Sequence, residues 1–144
     1  MIASTPTVEQ LSQVMIHATA PAFILGALAS FISLIIGRMN GIIERSRMIG
    51  AIPDTDTHRR HLKADLPRLR RRSHLLHWAI HFAVGSAIVT TLLICLAFAT
   101  AFFGWRHEVG GALLFVVALV LFGTSLVYLA REVSIGLTEF DHIG

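Results

Sequence analysis

The chain has 144 residues, 54% of them hydrophobic and only 15% charged, with a net charge of +3 and a mean hydropathy of +0.68. That balance is too apolar for an ordinary soluble domain, and three membrane spans would leave no room for a separate soluble catalytic domain. The single cysteine, Cys95, lies within an apolar run, which excludes an intrachain disulfide and a paired-cysteine metal site.

At the amino-terminal end, Thr7 and Gln10 have capping-box spacing, and Val8, Leu11, Val14, Met15 and Ala18 recur at helical intervals. This pattern predicts a short interfacial helix over 7–18. Pro21 then suits the first turn of a span, or a kink where the chain turns into the membrane. Arg38 is the first Lys or Arg in the chain. No basic stretch precedes the first apolar segment, which is therefore expected to remain in the mature protein rather than be removed as a signal peptide.

Three charge-free or nearly charge-free runs follow, at 20–37, 78–104 and 110–130. Each approaches or exceeds the roughly 20 residues that a helix needs to cross a bilayer core. Backbone amides in hydrocarbon must bond to one another, and these runs lack strand-like alternation, so helices are expected rather than a barrel. The two tryptophans, Trp78 and Trp105, bracket the second run at a separation of about 40 Å along a helix, which suits two interfacial aromatic belts. The expected fold is all-α: three spans, an interfacial helix and cytoplasmic helical extensions of spans one and two.

Ten of the twelve cations (Arg38, Arg45, Arg47, Arg59, Arg60, Lys63, Arg68, Arg70, Arg71 and Arg72) fall between spans one and two. Short Arg-rich loops stay cytoplasmic, which places the amino terminus outside and the carboxyl terminus inside. Within that segment the helical period continues past Gly37 through Met39, Ile42, Ile43 and Ser46. Pro53-Asp54-Thr55-Asp56 carries turn chemistry and Pro67 suits a helix start, so 38–74 reads as a basic helical hairpin, with 131–144 as a cytoplasmic tail.

The stretches "HATAPAFILGALASFISLIIGRMNGIIERSRMI" from His17, "RLRRRSHLLHWAI" from Arg68 and "LAREVSIGLTEFDHIG" from Leu129 resemble the bacterial membrane family filed as domain of unknown function 2721. The resemblance covers most of the chain in the same order. In that family a proline opens the first span, a "GRxxxIxxRxR" pattern leaves it and "LxREV" closes the third. Arg38, Arg45, Arg47, Arg131 and Glu132 occupy the matching positions. His74 and His77 depart from the pattern. The resemblance implies the fold and a bacterial inner-membrane location, and it implies no activity.

Four constellations remain open to more than one use. Small residues line up as Ala22, Gly26 and Ser30, then Ser33, Gly37 and Gly41 on span one, and as Ala79, Ala83, Ala87, Thr91, Cys95 and Ala99 on span two. Such rows let helices approach closely within or between protomers, or could line a pore. His74, His77 and His81 are spaced for one helix face, where they could bind a metal, sense pH or bond water and headgroups. Arg68, Arg70, Arg71 and Arg72 abut the membrane, where each cation gains about 1 kcal/mol from an anionic leaflet. Nucleic-acid binding is not expected, because no aromatic stacking platform accompanies that charge. Glu132 is expected to meet Arg38 or Arg45, tying spans one and three together.

No paired carboxylates, nucleophile with base, Gly-rich phosphate loop or metal-binding signature appears at usable spacing, so no enzyme and no cofactor is expected. Two functional classes stay open. One is a homo-oligomer with an ion-channel or transport-related role, its path lined by Ser30 and Ser33. The other is a non-conducting scaffold or accessory protein binding anionic headgroups.

Overall fold

The structure is a computed structural model, and it describes residues 7–103 and 108–137. Three α-helices make up nearly all of it: α1 (Val8–Gly50), α2 (Leu66–Phe103) and α3 (Glu108–Leu137), with a 3₁₀ turn at Arg60–Asp65 before α2. No strand occurs among the described residues. Each of the three is long and apolar enough to cross a membrane.

α1 begins with the expected capping box. The Gln10 amide donates to Thr7 Oγ1 at 3.4 Å and the Thr7 amide donates to Gln10 Oε1 at 3.1 Å, satisfying two amides that a helix start leaves orphaned. The expected division into an interfacial helix at 7–18 and a span from 20 is absent, because α1 runs unbroken through Pro21. Proline removes one backbone bond, but its fixed φ is helical, and the bonds on either side carry the helix through. The helix also continues without a break to Gly50, where the Ala51 amide donates back to the Arg47 carbonyl at 3.0 Å.

The turn chemistry at Pro53–Asp56 operates as the residues suggest. Asp56 Oδ1 accepts from the His58 and Arg59 amides, at 3.1 and 3.3 Å, the local side-chain bond that makes Asp a turn former. The 3₁₀ turn then leads directly into α2, with Pro67 in its first turn. α2 packs along its length against both other helices, while α1 and α3 meet at few points.

Packing follows a seven-residue step. The buried positions of α1 are Ala18 together with Pro21, Leu28, Ile35, Ile42 and Ile49. Those of α2 fall into two such series, Leu69, Leu76, Ala83 and Thr90, then Ala79, Ser86 and Leu93. α3 buries Ala118, Ser125 and Glu132. A seven-residue repeat is the signature of helices wrapping in a left-handed coil with side chains interlocked along a seam. Ile35, Ile42, Ile49, Leu69, Leu76 and Ala79 form the main apolar cluster. That cluster spans the carboxyl-terminal half of α1 and the amino-terminal half of α2, and it sets the level at which the polar residues described next are held.

Candidate functional site

Antiparallel register between α2 and α3 is fixed by a ladder of contacts in steps of seven. A Cβ on Gly111 would meet Leu93 at 3.7 Å. One step on, Ser86 Oγ donates to the Ala118 carbonyl at 2.8 Å. A further step brings Ser125 Oγ to the Ala79 carbonyl at 2.5 Å, and the last joins Arg72 to Glu132. Both serines are fully buried. Their hydroxyls bond across the interface to carbonyls of the neighbouring helix, so each acts as a clasp where apolar contact gives no driving force between helices in lipid.

The ladder ends in an ion triad. Glu132 is 0% exposed. Its Oε2 accepts Arg38 Nε at 2.9 Å and Nη2 at 2.8 Å. Its Oε1 accepts Arg72 Nε at 2.9 Å and Nη2 at 2.8 Å. Four N–H donors therefore fill the carboxylate's accepting capacity, which is what allows an ionised carboxylate to be buried at all. Arg38 comes from α1, Arg72 from α2 and Glu132 from α3, so one carboxylate ties all three helices. The triad carries a net positive charge. Gly136, one turn beyond Glu132, is part of the same arrangement, since a Cβ there would lie 3.1 Å from Arg72 Nη2.

The sequence reading paired Glu132 with Arg38 or Arg45, and the structure joins it to Arg38. Arg45 is exposed. In the sequence Arg72 is one member of a basic tract. Its distinguishing signal is its place one seven-residue step before Ala79, on the buried side of α2, whereas Arg70 and Arg71 are exposed like Arg47. Trp105, expected at an aromatic belt, lies outside the described residues.

Histidines 74, 77 and 81 do share the amino-terminal half of α2, and all three are exposed. Trp78 Nε1 donates to His74 Nε2 at 3.3 Å, and His81 Nδ1 lies 2.8 Å from the His77 carbonyl. The His77 and His81 rings stand 4.2 Å apart between centroids. Among the described residues no three His, Cys, Asp or Glu side chains are gathered to hold a metal ion.

The small-residue rows divide. Ala79 and Ala83 are fully buried, Ala87 is half-buried, and Thr91 and Cys95 are exposed. Ala22, Gly26, Ser30, Ser33, Gly37 and Gly41 are all exposed on α1, and a Cβ on any of these glycines would meet nothing within 4 Å. Thr91, Thr124 and Ser134 bond back to carbonyls four residues earlier in their own helices. Ser30 and Ser33 have no hydrogen-bond partner among the described residues.

Two hollows separate α1 from its neighbours. At the amino-terminal end of α1, Gln10, Gln13, His17 and Pro21 face Leu93, Ala97 and Thr100 of α2 and Gly111 and Phe115 of α3 across a cleft of about 940 Å³. At the other end, a cleft of about 430 Å³ opens between α1 and α2 beside Arg47 and Arg70.

An all-α protein with three candidate membrane-spanning helices, locked at one level by a buried ion triad, is thus the class defined by the fold. The chain belongs to the family described as "Protein of unknown function (DUF2721)", whose profile matches residues 18–142. That match includes Arg38, Arg72 and Glu132. Comparisons with curated proteins and with solved structures find no match.

Proposed function

We propose that this protein is a non-enzymatic, homo-oligomeric inner-membrane protein in which α1 helices of neighbouring protomers meet, enclosing a path for ions or small solutes. The amino-terminal end of α1 lies outside and the 51–59 turn lies in the cytoplasm. The orientation is supported by the ten cations between α1 and the apolar part of α2.

One observation carries the oligomer reading: the outward face of α1. Opposite its buried seam, Gly26, Ser30, Ser33 and Gly37 form an exposed strip with open space at both glycines. Ser30 and Ser33 have no hydrogen-bond partner among the described residues. Hydroxyls at membrane depth gain from a neighbouring helix or from water, and small side chains let a second backbone approach closely. Contact between protomers answers the first need and a water-filled axis the second.

The test combines molecular mass in detergent with ion flux in liposomes, for the wild type and for Ser33→Leu and Gly26→Leu. Wild-type oligomers that conduct, together with variants that lose conduction or dissociate, are the expected result. A monomeric wild type would overturn the reading. Oligomers with no flux would leave the second reading, a non-conducting scaffold whose arginine layer binds anionic headgroups.

A further inference from the structure

We infer that the cleft between α1 and α2 beside Arg47 and Arg70 is a binding site for the phosphate headgroup of an anionic phospholipid. The inference rests on α1 and α2 crossing the bilayer, and is independent of whether protomers associate.

The cleft arises from an interruption of the seam. Seven-residue steps place Ser46 after Met39 on α1, and Ser73 between Leu66 and Ile80 on α2. Met39, Leu66 and Ile80 pack against the main apolar cluster. Ser46 and Ser73 instead line a hollow of about 430 Å³. Two large apolar side chains at these positions would close it, since a packed seam tolerates few voids. Neither serine has a hydrogen-bond partner among the described residues, although both are half-buried.

What lines the hollow selects an anion. Arg47 and Arg70 stand at its rim, exposed and without a carboxylate partner among the described residues. His74 and His77 add imidazoles, and no acidic residue is among the lining side chains. Arginine's planar fork is suited to phosphate oxygens, and serine hydroxyls supplement it.

Depth and floor then distinguish a lipid from a free phosphate ion. Met39, Ile42, Ile43 and Leu69 make the floor apolar, which a bare phosphate would not use. The hollow starts at Met39 and His77, immediately beyond the charge-free part of α1 and beside Trp78 at the start of the second apolar run. From Gly37 to Arg47 α1 rises about 15 Å, so the cleft opens in the roughly 5–8 Å headgroup layer that flanks a bilayer core and its arginine rim stands just beyond that layer, within reach of arginine's long side chain. A phosphodiester can sit between the arginines while its glycerol and chains follow the apolar floor toward hydrocarbon.

Binding is read by native mass spectrometry of the purified full chain in detergent, titrated with phosphatidylglycerol, phosphatidylcholine, glycerol 3-phosphate and inorganic phosphate. Phosphatidylglycerol should bind about thirtyfold more tightly than phosphatidylcholine, and Arg47→Gln with Arg70→Gln should remove that preference, two cations near the surface being responsible. Arg68→Gln with Arg71→Gln removes equal charge outside the cleft and should leave the preference intact. Filling the hollow by Ser46→Leu with Ser73→Leu should also abolish it. All four arginines are exposed, and circular dichroism with size exclusion verifies that each variant folds. Equal loss in both arginine pairs would reduce the effect to general attraction and overturn the site. So would unchanged binding after filling, or glycerol 3-phosphate or inorganic phosphate binding as tightly as the lipid.

Discussion

At Glu132, removing one negative charge changes the balance for two positive ones. Breaking a buried ion pair by deleting one partner typically costs about 3–5 kcal/mol, because the remaining charge stays desolvated. Glu132→Gln should therefore be the most damaging single change in the triad. Arg72→Gln should cost less and Arg38→Gln least, since Glu132 keeps one arginine in each case and the Arg38 side chain is 35% exposed against 16% for Arg72. Unfolding in mixed micelles titrated with dodecyl sulfate gives the order, and a smaller loss for Glu132→Gln than for Arg38→Gln would refute it. Gly136 supplies a cross-check. Helix propensity favours Gly136→Ala by up to about 1 kcal/mol, but the added methyl would press on Arg72 Nη2. The substitution should stabilise the chain only when Arg72 has already been replaced. A milder effect operates in the turn outside the spans. Lys63 Nζ donates to Asp54 Oδ1 at 2.5 Å, and that bond and charge hold the Asp54 carboxyl below its usual range. A lowered carboxylate pKa adds stability above the ordinary value and loses it as pH falls through the lowered one. The melting-temperature difference between wild type and Asp54→Asn should thus be small near neutral pH, because both groups meet water. It should vanish in acid, and a difference that grows on acidification would contradict the assignment.

Along the helices, the seven-residue seams make a substitution's cost depend on which repeat it belongs to. Ala83→Leu adds bulk to a fully buried position and should cost about 1–3 kcal/mol, as overpacking does. Thr91→Leu, at an exposed position, should stay within about 0.5 kcal/mol. Ser86→Ala and Ser125→Ala should each lose about 0.6–1.7 kcal/mol, the range for interhelical hydrogen bonds in membranes. The same micellar unfolding titration measures all four, and equal costs at Ala83 and Thr91 would mean that the seam is not the packing unit. This contrast also explains what the sequence revealed. The apolar runs, the Thr7–Gln10 cap, the Pro53–Asp56 turn and the Arg38–Glu132 attraction are local patterns or follow from charge and order along the chain. Reading small residues every four positions was less informative. A four-residue step advances about 40° beyond a full turn, so the row from Ala79 slides out of the interface by Thr91, while a seven-residue step drifts by only about 20°. The series Pro21, Leu28, Ile35, Ile42 and Ile49 is present in the residues but was not legible, because in a uniformly apolar span lipid-facing positions are as greasy as buried ones. Arg72 was hidden for a related reason: among the four cations Arg68, Arg70, Arg71 and Arg72, only its register with Ala79 marks the one that turns inward. Continuity through Pro21 was the remaining departure, and proline chemistry alone permits either outcome.

For the molecule as a whole, helix lengths and charge have to be reconciled with one bilayer. α3, with 30 residues, is about 45 Å long and matches a bilayer with its headgroup layers. α1 and α2, with 43 and 38 residues, are about 64 and 57 Å long and must project beyond it. The triad fixes the side: Glu132 near the end of α3 is level with Arg38 and Arg72, so the parts of α1 and α2 that extend past these arginines leave the membrane together toward the 51–59 turn. In the proposed orientation that side is the cytoplasm. Single cysteines in a Cys95→Ala background test the assignment, Cys95 being the one native thiol of the sequence. Gln10→Cys, in the first turn of α1, should react with a membrane-impermeant maleimide on cells whose inner membrane is intact. Thr57→Cys, in the projecting turn, should react only after that membrane is opened. The reverse pattern would invert the protein, and labelling of both positions from one side would show that α1 does not cross, removing the basis for a headgroup-level cleft at Arg47 and Arg70.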